Sequence, residues 1–374
     1  MSDLARMPAA EPFDTRREQR LEEIRRGAQT AAGVDVMRAP TEAYYSRASA
    51  ETGYYGIPLL KQPPWTWQIP LYFFVGGAAG AAAVIGAVAD FTGSDPKLAS
   101  HARRIAAAGS VISPILLIAD LGRPSRFLAM LRIVKPQSPM SIGVWTLLGF
   151  SGGAWAALAA DMMERRSGSS VGLRFLRQAG QAASLTFGLP FSNYTGVLLA
   201  VTAVPVWNRS ARDLPVHFAA SGVGASVGML ELMGHERSRP LQVLGLGAAA
   251  LETLEGVRIE TQSHEDLEPL KRGSSGWVIR TGGVLSGPIP LALRLASLFG
   301  PRRSSASLRR WAARSAIAGS LITRFAWMLA GKQSAKNWRA PLRGNGRSSQ
   351  SLSQSSGTEL HSSSNDYPVQ KAAV

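Results

Sequence analysis

The chain contains no cysteine. It therefore cannot form a disulfide, and it cannot hold an iron–sulfur cluster through its own thiolates. Histidine is scarce, at five residues. Haem held by two histidines needs two that face each other inside the membrane. Only His217 and His235 lie near apolar runs, toward opposite ends of one of them, so the reading is of a chain without haem b. Acidic side chains are fewer than basic ones, 25 against 41, which leaves a formal charge of +16. Lys and Arg sit mostly between apolar runs, as membrane-flanking residues do, so the excess does not indicate nucleic acid. The first 40 or so residues lack an apolar core segment, and no cleavable signal peptide is expected there.

Charge is also missing locally. Residues 69–89, 141–160 and 179–207 carry no Asp, Glu, Lys or Arg. About 20 apolar residues are enough for a helix to cross a bilayer, and a soluble domain rarely holds three such runs. The chain reads as an all-α polytopic membrane protein with eight spans. They are expected at 69–89, about 104–121, 141–160, 179–207, about 214–233, about 240–257, about 277–299 and about 308–330. Around them lie a polar N-terminal tail (1–53), partly helical, and a Ser-rich C-terminal tail (332–374) expected to be disordered. The membrane domain covers 54–331. Trp65, Trp67, Tyr54 and Tyr55 suit an interfacial belt.

An even number of spans puts both tails on one side, and the polar residues that interrupt the spans gather there. The segment "IADLGRPSRF" ends the second span on Asp120, where the helix dipole disfavours an acid by a few tenths to about 1 kcal/mol. Gly122 and Pro124 account for the helix stop but not for the acid. Either Asp120 pairs with Arg123 or Arg126, or it serves proton transfer or ligand binding. Trp67 and Gln68 open the first span; Ser138, Ser141 and Trp145 the third; Asp213 and His217 the fifth. Glu252 and Glu255 end the sixth, and Asn193 and Tyr194 fall mid-way in the fourth. Polar groups and flat aromatic faces near one membrane surface suit a ring ligand such as a quinone. Gly76 and Gly80 have the spacing that lets helices approach closely. Arg280, Arg294 and Arg324 must face protein or water, either paired with Glu231, Glu252 or Glu255, or on a proton or ion path.

Three blocks carry a resemblance: "YYGIPLLKQPPWTWQIPLYFFVGGAAG" (54–80), "SPILLIADLGRPSRFLAMLRIVKPQSPMSIGVW" (113–145) and "NYTGVLLAVTAVPVW" (193–207). Together they resemble the NrfD/PsrC family, the membrane subunits of polysulfide-reductase-like complexes. The resemblance implies eight spans in two four-helix bundles in the bacterial inner membrane. It implies menaquinone or ubiquinone near one face, with no haem or cluster in the chain. The implied partners are a four-cluster ferredoxin-like subunit and a catalytic subunit, either a molybdopterin enzyme or a multihaem cytochrome. The implied quinone site maps to Gln68 or its neighbour Trp67, to Asp120 and to Tyr194; Arg123, Asn193 and His217 are further candidates from their own positions near the same face. Some members have a histidine near the first span; this chain has none there. The competing reading is a secondary transporter or proton channel, in which Glu252, Glu255, Arg280 and Arg324 would line the path.

Overall fold

The computed structural model describes residue 60 and residues 62–336 apart from positions 124 and 133. The expected N-terminal tail, Tyr54, Tyr55 and nearly all of the expected C-terminal tail lie outside the described residues, as does the side chain of Arg126. What is described is helical, with no strand among the described residues.

The helices follow in order: α1 (Gln68–Phe91), α2 (Pro96–Asp120), the short α3 (Ser125–Met130), α4 (Pro139–Ser167) and α5 (Val171–Ala200). Then come α6 (Pro205–Arg209), α7 (Leu214–Leu230), α8 (Arg239–Thr261), α9 (Glu268–Lys271), α10 (Gly273–Ser286), α11 (Pro288–Phe299) and α12 (Arg302–Lys336). Among the described residues, five helical stretches are long and apolar enough to cross a membrane: α1, α2, α4, α7 with its extension to His235, and α10 with α11. The most buried of them is α1. It packs on α2, α5, α7 and α12, while α4 packs on α5 and α10 on α12.

Local chemistry sets several boundaries. Asp95 accepts from the backbone N–H groups of Lys97 and Leu98 at 3.0 and 2.9 Å, and Pro96 follows it, so α2 starts there. The sequence reading starts this span about eight residues later, at about Arg104. It missed that Arg103 is buried, because its charge is answered: Nη1 reaches Asp90 at 3.2 Å and Nη2 reaches Asp161 at 2.7 Å. Arg177 joins the cluster through Asp90 and through Glu164 at 3.0 Å, and Arg165 meets Asp161 at 3.1 Å. This network ties one end of α1, α2, α4 and α5 together.

At the far end of α2, Gly122 has φ +67. That left-handed backbone is natural for glycine just past a helix and costs other L-residues about 1–2 kcal/mol. The sequence places one span up to 207, but α5 ends at Ala200, and α6 follows after a turn over residues 201–204, with Pro205 as its first residue. Tyr194 and Asn193 are therefore in the last two turns of α5 rather than mid-way. The seventh run breaks at Gly287, because Pro288 begins a new helix and has no N–H to give. A π-helical turn, Glu231–His235, prolongs α7 and ends through Gly234 at φ +102.

The small residues of α1 mark its crossing with α5. A Cβ on Gly80 would lie 2.6 Å from the Gly188 carbonyl oxygen and 2.9 Å from the Ser192 nitrogen. One on Gly76 would meet the Phe191 ring at 2.9 Å.

Candidate functional site

Two groups of polar residues lie at the helix ends that the sequence placed on the tail side. The first joins α1 to α2. The Thr66 backbone N–H donates to Asp120 Oδ1 at 2.8 Å, and the Thr66 hydroxyl donates to the same oxygen at 2.5 Å. Gln68 Oε1 also lies against Thr66 Oγ1. A hydroxyl has one hydrogen, so once it is given to Asp120, Oγ1 is left as an acceptor. Gln68 Oε1 cannot donate to it; the amide turned the other way, with its NH2 toward Oγ1, would.

This arrangement answers why an apolar helix ends on a carboxylate. Asp120 is at the negative end of α2 but also at the start of the antiparallel α1. There free N–H groups and the positive end of a helix dipole favour an anion. The partner is Thr66, which the sequence reading did not single out. A hydroxyl residue just before an apolar run was the available signal. Beside it, Trp67 is 60% exposed and offers a free indole face, and Arg123 is exposed in the following loop.

Tyr194 is buried and engaged elsewhere. Its hydroxyl donates to the Pro139 carbonyl, and its ring fills the space beside Gly143, where a Cβ would come within 2.2 Å. It thus fixes the start of α4 against α5. Asn193, next to it, is half-buried. Trp65, half-buried, stacks on buried Trp207 at 5.7 Å, whose Nε1 donates to the Trp327 carbonyl at 2.9 Å.

The second group belongs to α7, α8 and α10. His217 Nδ1 is 3.4 Å from Glu252 Oε1, and both side chains are almost fully buried. Ser286 donates to the other Glu252 oxygen at 2.6 Å. Neither His217 nitrogen, nor Glu252 Oε1, has a hydrogen-bond partner among the described residues. Glu255 lies 3.9 Å from Arg258, which holds Asp213 at 2.8 Å.

The arginines are mostly answered by acids. Arg280 binds Glu260 through two bonds, 2.6 and 3.0 Å, a partner the sequence reading had not proposed. Arg294 meets Glu231, one of the acids named for it, through two bonds of 2.7 Å. Arg324 Nη2 donates to the Phe218 carbonyl at 2.7 Å, and its guanidinium lies 3.8 Å over the Phe218 ring.

The histidine count missed one contact. His101 Nδ1 is 2.9 Å from His235 Nε2, so a histidine pair does exist within the chain. Direct hydrogen-bond contact between the rings joins α2 to the end of the π turn. Among the described residues, no group of three or more His, Cys, Asp or Glu is placed to hold a metal ion.

The sequence model of the polysulphide reductase NrfD family matches residues 59–333. The chain belongs to the NrfD family. The match spans α1 to α12 and contains both polar groups, and it bears out the resemblance carried by the three sequence blocks. NrfD chains are membrane subunits of oxidoreductase complexes and generally pair with iron–sulfur and catalytic subunits. No curated protein matches the chain.

Proposed function

We propose that this NrfD-family chain is a quinone-reactive membrane anchor. It exchanges electrons between the quinone pool and an iron–sulfur partner, in eight spans grouped as two four-helix bundles. The partner is a four-cluster ferredoxin-like subunit that relays electrons to a catalytic subunit, and the complex sits in the bacterial inner membrane. The observation that carries the reading is the Thr66–Asp120–Gln68 cluster at the shared end of α1 and α2. There a half-exposed carboxylate and a carboxamide stand beside the exposed Trp67. The carboxylate can accept from a quinol hydroxyl, the carboxamide can donate to a ring oxygen, and the indole offers an apolar face beside the ring.

A bound quinone would supply two-electron chemistry coupled to two protons. The chain's own residues would position the ring and handle the protons. Asp120 is suited to accept a proton from a hydroxyl within hydrogen-bond reach. Both Thr66 bonds go to its Oδ1, so they fix the carboxylate's orientation while Oδ2 stays outside that pair. Without cysteine, the chain has no thiolate-bound cluster of its own.

The test is Asp120→Asn in the assembled complex, with quinol-linked turnover as the readout. Turnover should fall by most of its value while the partner subunits, their iron and the bound quinone still co-purify. Normal turnover in an assembled variant would reduce Asp120 to a helix-end partner of Thr66. A wild-type chain that purifies with neither iron nor quinone would overturn the anchor reading itself.

A further inference from the structure

We propose that the second half of the chain holds a separate binding cleft for a neutral, quinol-class amphiphile, between α8 and α10. The proposal rests on the quinone-reactive reading above but puts a ligand on helices that do not include α1 or α2.

The cleft has a volume of about 380 Å3, within the range of small-molecule sites. Val257 and Val284 line it and are also among the exposed apolar side chains, so its mouth is apolar. In a membrane subunit that mouth opens to lipid. Its width comes from two glycines on facing helices, Gly256 and Gly283. A Cβ built on either meets nothing within 4 Å.

Its floor is polar and incomplete. His217 and Glu252 line the cleft, both nearly fully buried, and they leave His217 Nδ1, His217 Nε2 and Glu252 Oε1 without partners among the described residues. Buried polar atoms are normally satisfied, and each one left over costs about 1–3 kcal/mol. Their separation of 3.4 Å is too long for a strong bond to each other. A ligand group that both donates and accepts would complete the set: a hydroxyl on a ring, as a quinol carries.

The charges favour a neutral head. An anionic lipid headgroup would meet the Glu252 carboxyl, and Arg280 at the rim is already held by Glu260 through two bonds. His217 also lines a smaller cavity shared with Asp213, Glu255 and Arg258. A head bound on the floor is therefore one side chain away from charged groups outside the cleft.

The experiment uses the intact complex in phosphatidylcholine nanodiscs. The probe is an azidobenzoquinone with a decyl tail, crosslinked by light and mapped by mass spectrometry. Label is expected within residues 252–261 or 279–288, displaced by excess decylubiquinone. Gly283→Leu and Gly256→Leu each fill the cleft from one wall and should weaken that labelling about tenfold or more. Asp120→Asn should leave it unchanged. Two variants on different helices guard against one that fails to assemble. Labelling confined to the ends of α1, α2 and α5 would overturn the cleft and leave the anchor reading intact. Label on α8 or α10 that persists in both leucine variants would also overturn it. Label displaced by added phospholipid but not by decylubiquinone would assign the cleft to an acyl chain instead. Absence of label throughout the chain would overturn the quinone reading and this inference together.

Discussion

Replacing Glu231 by glutamine should be far more damaging than removing its whole ion pair. Glu231 and Arg294 are 0% and 1% exposed, and two bonds of 2.7 Å join them. Gln242 adds a third acceptor to Arg294 at 3.2 Å, and its amide donates to the Arg294 carbonyl at 3.0 Å. Gly245 makes the room, since a Cβ there would lie 2.3 Å from the guanidinium carbon. Glu231→Gln keeps the shape but leaves a buried guanidinium with no counter-ion, a loss of about 3–5 kcal/mol. At about 2–3 °C per kcal/mol for a chain of this size, the apparent midpoint should drop by roughly 6–15 °C. The double variant Glu231→Leu with Arg294→Met removes both charges. It should recover most of that loss, because the desolvation of an ion pair offsets much of its attraction. The assay is thermal unfolding of the detergent-solubilised complex, followed by size-exclusion fluorescence at one heating rate. If the single and double variants fall equally, or if Glu231→Gln melts with the parent, the pair is not the electrostatic unit described here.

Three further outcomes follow from the geometry. Gly80→Ala should destabilise more than Gly76→Ala, by about 1–3 kcal/mol, because the first meets backbone and the second the edge of a phenylalanine ring; melting of the two variants compares them directly. Gly122→Ala should cost about 1–2 kcal/mol through its φ of +67, with no packing contribution, since a Cβ there meets nothing within 4 Å. Glu236, in the turn after α7, has its carboxyl held below the usual range, first by the peptide N–H at its own position and then by Arg310 at 2.9 Å. A depressed folded-state value means its contribution is complete above the ordinary glutamate value of about 4.3 and disappears as pH falls through the lower folded value. Glu236→Gln should therefore lower stability at neutral pH, by a margin that closes as pH falls through the acid range, and so flatten the acid limb of a stability–pH profile.

The apolar runs were readable because a bilayer demands length without charge, and that demand is local. So the starts of α1 and α7 fall at or next to the positions expected from sequence. Where a charge sits inside a helix, the local rule gives the wrong boundary. Arg103 looked like a loop residue because Asp90 and Asp161, which neutralise it, lie 13 and 58 positions away. The same distance hid the histidine pair, whose members are 134 positions apart. Asp120 stood out because it opposes its own helix dipole. The reason it is tolerated, Thr66, is 54 residues earlier and lies just before the neighbouring helix. Tyr194 was legible as a buried polar ring, but its bond to Pro139 depends on how α4 meets α5. The floor of the cleft was legible as His217 and Glu252, but its space was not, since two glycines on separate helices and a histidine on a third become one feature only after packing.

The Glu231–Arg294 pair also carries a timetable. Glu231 precedes Arg294 by 63 residues. At synthesis rates of about 5–20 residues per second, the acid emerges roughly 3–13 seconds before its cation. During that interval α7 must be held with a carboxyl side chain and no guanidinium to meet it. Insertion of this half is therefore a joint event, complete only when α11 arrives.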